Sequence, residues 1–365
     1  MIHRLLRLAA TLVFGCLLYG AGLAFASEAA PAQPVASTAQ VPHIALLLPV
    51  NSKVFARHAA AVRDGFRAAA SSEAGPVLAL REYAVSGDAA ANLEGYRTAV
   101  AAGAQVVVGP LTRDAVTALA FGEPVPVPTL ALSMPDEVGR MPGNLYVLGL
   151  QVETEARQVA RIAWEAGRRN AAILGSSGPL QRRMQTAFAT EFVQLGGVLA
   201  ADIAFAAEPD RMRAAARAMN RADMVFLALG HAEARGARPY LGTIPLYATS
   251  SVHGGDLGPL AGHDLGGILF VDMPWLLEPD HPRITAFPRS KTPVSAELDR
   301  LYALGIDAWR IARQLLEGVR ELRLDGVTGR LMLGADGVIE RELVTGRYTE
   351  GRVQLLLPGQ RESAR

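Results

Sequence analysis

The sequence predicts an α/β chain of two doubly wound, Rossmann-like lobes joined by multiple crossovers. Three observations predict it. Short apolar runs such as Ile44-Ala45-Leu46-Leu47-Leu48 and Val106-Val107-Val108 carry no polar alternation, which marks strands buried on both faces of a parallel sheet. These runs alternate with helical segments in two successive blocks, as βαβ units do. A third block then brings a long helix and short hairpins, so the chain crosses between its lobes more than once.

The first block places strands at 44–48, 77–83, 106–108 and 127–132, with helices at 55–70, 89–102 and 113–121. Ala59, Val62, Phe66 and Ala69 fall at helical spacing and give the first helix an apolar face. Pro142-Gly143-Asn144 is a turn, and 145–150 reads as a crossover. The second block places helices at 153–166, 180–195, 210–219 and 232–238 and strands at 171–174, 198–205, 224–229 and 245–248. The third holds a glycine-rich span at 254–267, a strand at 268–273 and a long helix at 295–318. Asp325-Gly326, Asp336-Gly337 and Gly346 then space hairpin strands at 331–333, 338–343 and 353–357. The expected division is lobe 1 from 43–148 and 273–325, and lobe 2 from 149–272 and 326–358, with a tail at 359–365.

The first residues read as an export signal. His3, Arg4 and Arg7 precede an apolar stretch that ends at Ala24-Phe25-Ala26, a small-x-small cleavage site, so 1–26 is the signal and Ser27 the first mature residue. Residues 27–42, rich in Ala, Pro, Gln, Ser and Thr, form a flexible linker. Cys16, the single cysteine, offers a second reading. Val13-Phe14-Gly15-Cys16 is a poor lipoprotein box, and only lipidation there would tie the chain to a membrane. Half the residues are hydrophobic and the formal net charge is +1, which supports a large core and argues against a nucleic-acid partner.

The motifs resemble one family over 41–357. Ile44-Ala45-Leu46-Leu47-Leu48-Pro49 with Val62-Arg63-Asp64-Gly65-Phe66 resembles the opening of the LppC/LpoA-like family of penicillin-binding protein activators. So do Val108-Gly109-Pro110-Leu111 and Leu246-Tyr247-Ala248-Thr249-Ser250. Asp272-Met273-Pro274-Trp275-Leu276-Leu277 and the run from Leu301 to Trp309 match most specifically. Asp325 to Leu331 and Gly337 to Leu343 complete the set. The resemblance implies a type I periplasmic-binding-protein fold. It also implies a non-catalytic regulator that stimulates a class A penicillin-binding protein, with no cofactor. In enterobacterial members a helical-repeat domain precedes the binding-protein-like domain, and this sequence has no room for one. The alternative is a periplasmic solute-binding protein that takes a small polar or amino-acid-like ligand in the interlobe cleft.

Loops beyond the carboxyl ends of parallel strands are where ligands sit in such sheets. Asn51, Ser52, Thr112 and Ser133 from the first lobe and Thr249 and Ser250 from the second are the candidate cleft residues. The plainer reading is that they are helix caps and turns that bind nothing, since caps occur at nearly every helix start. Asp272, Pro274 and Trp275 read either as a hinge with a packed indole or as a partner surface with Trp275 as its anchor. His253, Asp256, His263 and Asp264 share no defensible metal spacing and are expected to be solvated loop residues. Gly175-Ser176-Ser177-Gly178 lacks the spacing of a nucleophile elbow. No catalytic constellation and no metal site is expected.

Overall fold

The computed structural model describes residues 40–73, 78–137, 139–255, 262–290 and 295–356. The export signal, Cys16, Asp256 and the tail fall outside them. The apolar run at 44–48 forms β1 (His43–Leu48), buried along its whole length. It is flanked in parallel by β2 (Ala79–Ala84) and β3 (Ala104–Val108). β4 (Thr129–Ala131) and β5 (Leu145–Val147) complete a parallel sheet of order β2-β1-β3-β4-β5. Its helices are α1 (Ala56–Ser72), α2 (Ala89–Ala101) and α3 (Arg113–Gly122). Burial of Ala59, Val62, Phe66 and Ala69 on α1 follows the helical stripe. The segment at 145–150 differs from expectation, because it opens with β5 and the chain leaves the lobe only at 148–151. A three-residue strand has no periodicity of its own; β4 beside it supplies the pairing.

The second lobe runs α4 (Val152–Glu165), β6 (Asn170–Gly175), α5 (Pro179–Gln194), β7 (Val198–Ala204), α6 (Pro209–Ala218), β8 (Met224–Ala228), α7 (His231–Ala237), β9 (Leu246–Ala248) and β10 (Ile268–Asp272). Pro179 and Pro209 open α5 and α6, where a missing N–H costs nothing. After β10 come the single turns α8 (Pro274–Leu277) and α9 (Pro282–Thr285), then α10 (Ala296–Leu316), which returns to the first lobe and packs on α1 and β3. Ser295 caps α10 by accepting from the Leu298 N–H. β11 (Arg323–Asp325), β12 (Arg330–Leu333) and β13 (Ile339–Glu342) form a separate antiparallel sheet. β14 (Val344–Thr349) and β15 (Arg352–Leu356) join the second lobe in the order β15-β14-β10-β9-β8-β6-β7.

β14 corrects the reading of Gly346 as a turn. The glycine lies inside the strand, and an added Cβ would meet Val353, Phe270 and Leu277 at 2.9–3.2 Å. The strand expected at 338–343 is β13, which stops at Glu342; Leu343, whose N–H and carbonyl bond the Gln158 side chain of α4, separates it from β14. The largest apolar cluster runs from Val62 and Phe66 through Trp275 and Trp309 to Phe226 and Leu331. All three sheets share it.

α1 and α10 cross at two glycines. A Cβ at Gly65 would lie 1.9 Å from the Tyr302 carbonyl oxygen, and one at Gly305 would lie 2.0 Å from that of Val62. Helix propensity favours alanine over glycine by ~1 kcal/mol, but a backbone carbonyl in a packed helix cannot rotate aside. Gly305→Ala is therefore expected to lower stability by a net ~1–3 kcal/mol, read from denaturant midpoints. A midpoint at or above that of the parent chain would refute this crossing.

Candidate functional site

The loops after β1, β2 and β3 meet at one edge of the first lobe. Ser52 accepts hydrogen bonds on Oγ from the N–H groups of Val54 and Phe55 at 3.3 and 3.2 Å. Thr112 precedes α3, and its hydroxyl reaches the Gly87 carbonyl at 3.5 Å instead of capping the helix. Ser52 lines the other side of Gly87, with Oγ 2.8 Å from where a Cβ would stand. Asn51 is exposed and donates to the Ala84 carbonyl at 3.3 Å. Ser133 is half-buried and packs beside Gly149 in the first crossover.

The second-lobe candidates are held elsewhere. Thr249 is buried and donates to the Met184 sulfur at 3.1 Å, and it caps the turn that follows by accepting from the Ser251 N–H. Ser250 gives both its N–H and its hydroxyl to Glu155 Oε2, at 3.1 and 2.7 Å. The structure thus groups Ser52 with Thr112, and Ser250 with Glu155.

Glu155 opens onto a buried ionic junction between the lobes. It sits in the first turn of α4, and its other oxygen faces Arg341 of β13 at 3.5 Å. Arg341 donates to the carbonyls of Gly149 and Thr328 at 3.2 and 3.1 Å. Thr328 returns its N–H and hydroxyl to Asp307 of α10, at 2.8 and 2.7 Å, and the Val327 N–H bonds the second Asp307 oxygen. Arg300, two turns of α10 before Asp307, clasps Asp272 at the end of β10 with Nε and Nη2, at 3.0 and 2.7 Å. Arg300 also donates to the carbonyls of Ser250 and His253. His253 Nδ1 bonds Asp272 Oδ2 at 2.7 Å. Together these side chains tie the segments at 148–151, 272–273 and 327–328 to both lobes and to the small sheet.

The charges are tuned by burial and by each other. Burial would raise the Asp272 carboxyl, but Arg300 and His253 overcome it and hold it down at about 2. Burial dominates at Glu155 and at Asp307 and pushes both carboxyls up, with Arg341 and Arg310 respectively offsetting it only in part. Burial likewise lowers Arg341, against the pull of Glu155. The signs give a pH prediction. Asp272 is depressed on folding, so its stabilisation of ~2 kcal/mol is present above about pH 4 and is lost as pH falls from 4 towards 2. Glu155 has the opposite sign, because a raised folded pKa means that acid relieves its burial cost. In an acid titration followed by circular dichroism, Asp272→Asn is expected to flatten the loss of stability between about pH 4 and 2. An unaltered slope would remove Asp272 from this role.

Asp272, Pro274 and Trp275 sit within the same frame. Pro274 opens α8, and the Trp275 N–H bonds the Val327 carbonyl at 2.9 Å. The Trp275 indole is fully buried, with Nε1 donating to Asp299 at 3.0 Å and the Arg289 guanidinium 4.0 Å above its ring. An indole so placed is a buried packing group and is not exposed as an anchor. His253 corrects the expectation of a solvated loop residue, since its pairing with Asp272 is almost wholly buried. His263 and Asp264 are exposed, Asp264 pairing with Arg235. Among the described residues no group of three such side chains is placed to hold a metal. Ser176 lies in a strand–helix turn and donates to Glu233.

Glu155 and Arg300 lie outside the motifs quoted above, while Asp307, Thr328 and Arg341 lie within them without any spacing that assigns them a role. Asp307 also stands out as a carboxylate between Leu304 and Ile311 on the apolar stripe of its helix. Arg341 and Glu155 are separated by more of the chain than any local pattern spans.

The structure of a Chromobacterium violaceum ATCC 12472 protein described as a branched-chain amino acid ABC transporter is 39% identical, with TM-score 0.71, covering 84% of this chain and 99% of that one. The LpoA (YraM) C-domain from Haemophilus influenzae, a regulator of PBP1A, has TM-score 0.73 at 23% identity, covering 86% of this chain and 100% of that one. These likenesses place the fold among type I periplasmic binding proteins. Penicillin-binding protein activator LpoA of Edwardsiella piscicida is 30% identical over 298 residues, 69% of this chain and 43% of the relative. The chain therefore spans less than half the length of the curated relatives it matches. The LppC family model, described as a lipoprotein family, matches residues 35–221 and 211–351, and with nearly the whole of both lobes matched the chain belongs to the LppC family.

Proposed function

We propose that the chain is a non-catalytic periplasmic regulator that binds a class A penicillin-binding protein and stimulates its peptidoglycan synthesis. The observation that carries this reading is the match to the E. piscicida activator at 30% identity. The junction supports it. A solute receptor needs free polar groups in a cleft that opens and shuts. Here Ser52, Thr249 and Ser250 bond to the protein itself, and Arg300 and Arg341 pin the crossovers with buried charge. Removing either member of a buried pair is costly, so the lobes are held in one arrangement and offer a partner a fixed outer surface.

The test is a purified synthesis assay. Adding the chain to its cognate class A penicillin-binding protein is expected to raise the rate of peptidoglycan formation and to retain the enzyme on immobilised chain. No stimulation and no retention would overturn the proposal. The C. violaceum likeness favours solute binding as a second reading. That reading requires a saturable rise in melting temperature with branched-chain amino acids. Export with cleavage before Ser27, or lipidation at Cys16, completes the proposal, and the mass of the mature N-terminus separates the two. Among the described residues no helix is long and apolar enough to cross a membrane.

A further inference from the structure

A groove of ≈ 580 Å³ runs between α4 and β13, the edge strand of the small sheet. None of the candidate cleft residues lines it. Ile162 of α4, Met332 of β12 and Met134 of the first lobe give it an apolar lining, and Met332 is 39% exposed. One charge stands open on each wall. On α4, Arg157 is half-buried, and its one hydrogen bond goes to the Thr154 hydroxyl at 3.3 Å. Glu153, one turn before it, pairs with Arg183 instead. On β13, Glu340 is exposed. Among the described residues neither Arg157 nor Glu340 meets an opposite charge. Arg161, Arg341 and Glu342 also line the groove, but they pair with Glu191, Glu155 and Arg330. Asp336 adds a second acid to the sheet wall, with one oxygen held by the Val338 N–H.

We propose that this groove binds a short zwitterionic peptide, its carboxylate on Arg157 and its ammonium at Glu340. Geometry, charge and size each narrow the class. The Glu155–Arg341 contact, at 3.5 Å, joins the two walls. Thr154 and Glu340 each stand one residue before a member of that contact. The Arg157 head, tied to Thr154, and Glu340 are thus at one level on opposite walls. No ion pair closes the gap between them, and a molecule that carries both charges spans it. A lone anion would face the acids of the sheet wall, and a lone cation would face Arg157. A cavity of ~150 Å³ takes benzene, and pockets of ~300–1,000 Å³ take ligands of drug size, so this groove admits more than a single amino acid. A peptide of two or three residues brings two charged ends. It also sets an apolar side chain against Ile162 and the methionines, whose flexible thioethers adapt to varied shapes. The lining includes Gly149 of the first crossover besides α4, the small sheet and Met134. A bound peptide therefore braces the segments that join the lobes. This inference does not depend on the proposed partner.

Isothermal titration of the full chain with alanyl-leucyl-alanine, its N-acetyl form and its C-terminal amide tests this. The free peptide is expected to bind saturably at one site. Amidation removes the carboxylate and is expected to weaken binding ~10-fold. Acetylation removes the ammonium, which meets exposed acids, and is expected to weaken binding ~3-fold. Arg157→Gln is expected to weaken the free peptide ~10-fold and to leave the affinity of the amide unchanged, since the amide has no carboxylate to lose a partner. Glu340→Gln is expected to weaken the free peptide ~3-fold and to leave the acetyl form unchanged, and it serves if the first variant does not melt cooperatively. No saturable binding, or equal affinity for the free peptide and the amide, would overturn the proposal. So would a folded variant that binds the free peptide as tightly as the parent, the result expected of a peptide seated in the interlobe cleft, or one that weakens free and capped peptides alike.

Discussion

Arg300→Met is expected to destabilise the chain by ~3–5 kcal/mol, because it leaves the Asp272 carboxylate buried without its counter-charge. The arginine makes a two-pronged contact with Asp272 and satisfies two further carbonyls, of Ser250 and His253. Methionine keeps the apolar stem and loses every one of these donors. The Asp272 carboxyl is 1% exposed, so water cannot replace them. Domains of ordinary stability hold ~5–15 kcal/mol in total, so the midpoint in urea should fall by about a fifth or more. The double variant Arg300→Met with Asp272→Leu is expected to recover much of the loss, since exchanging a whole buried pair for apolar groups is often neutral. Equal losses in the single and double variants would show that Arg300 acts through packing and not through charge.

Trp275→Ala is expected to cost a similar ~3–5 kcal/mol, the usual range for emptying a buried aromatic site. The indole packs against Tyr302 of α10, with ring centroids 5.6 Å apart, and lies under the Arg289 guanidinium. Trp275→Phe keeps most of that volume and loses the bond to Asp299, so a smaller loss of ~1 kcal/mol is expected. The pair of variants also separates two roles for this residue. A packing role lowers stability in the order Ala beyond Phe and leaves partner retention intact in whatever fraction stays folded. Loss of retention at unchanged stability would instead put the indole on the partner surface, against its full burial.

The legible parts of the chain were those whose signal is local. The run at 44–48 is apolar because both faces of β1 are covered, and the stripe on α1 is apolar because one helix face meets a core. Ser295 and the long helix after it were legible for the same reason. The motif around Asp272 and Trp275 was legible as a place that matters, but its chemistry was not. Asp272 is defined by Arg300 on another element and by His253 from a glycine-rich loop. His253 itself looked like a loop residue, since nothing in its neighbours announces a carboxylate beside it. The candidate cleft hydroxyls were each plausible ligands on paper. Only the folded chain shows Ser250 committed to Glu155 and Thr249 to Met184.

By itself, the sequence determined the class of fold, the alternation of its elements, the return of the long helix and the family. These follow from short-range periodicity and turn chemistry, which are properties of neighbouring residues. Tertiary structure alone decided which sheet β14 joins, how closely α1 and α10 approach, and which charges meet between the lobes. A strand edge takes whatever partner the packed chain brings to it, and an ion pair forms only where burial removes water from both of its members. Arg341 reaches Glu155 because β13 and α4 are held together by the shared core, a relation no local pattern encodes.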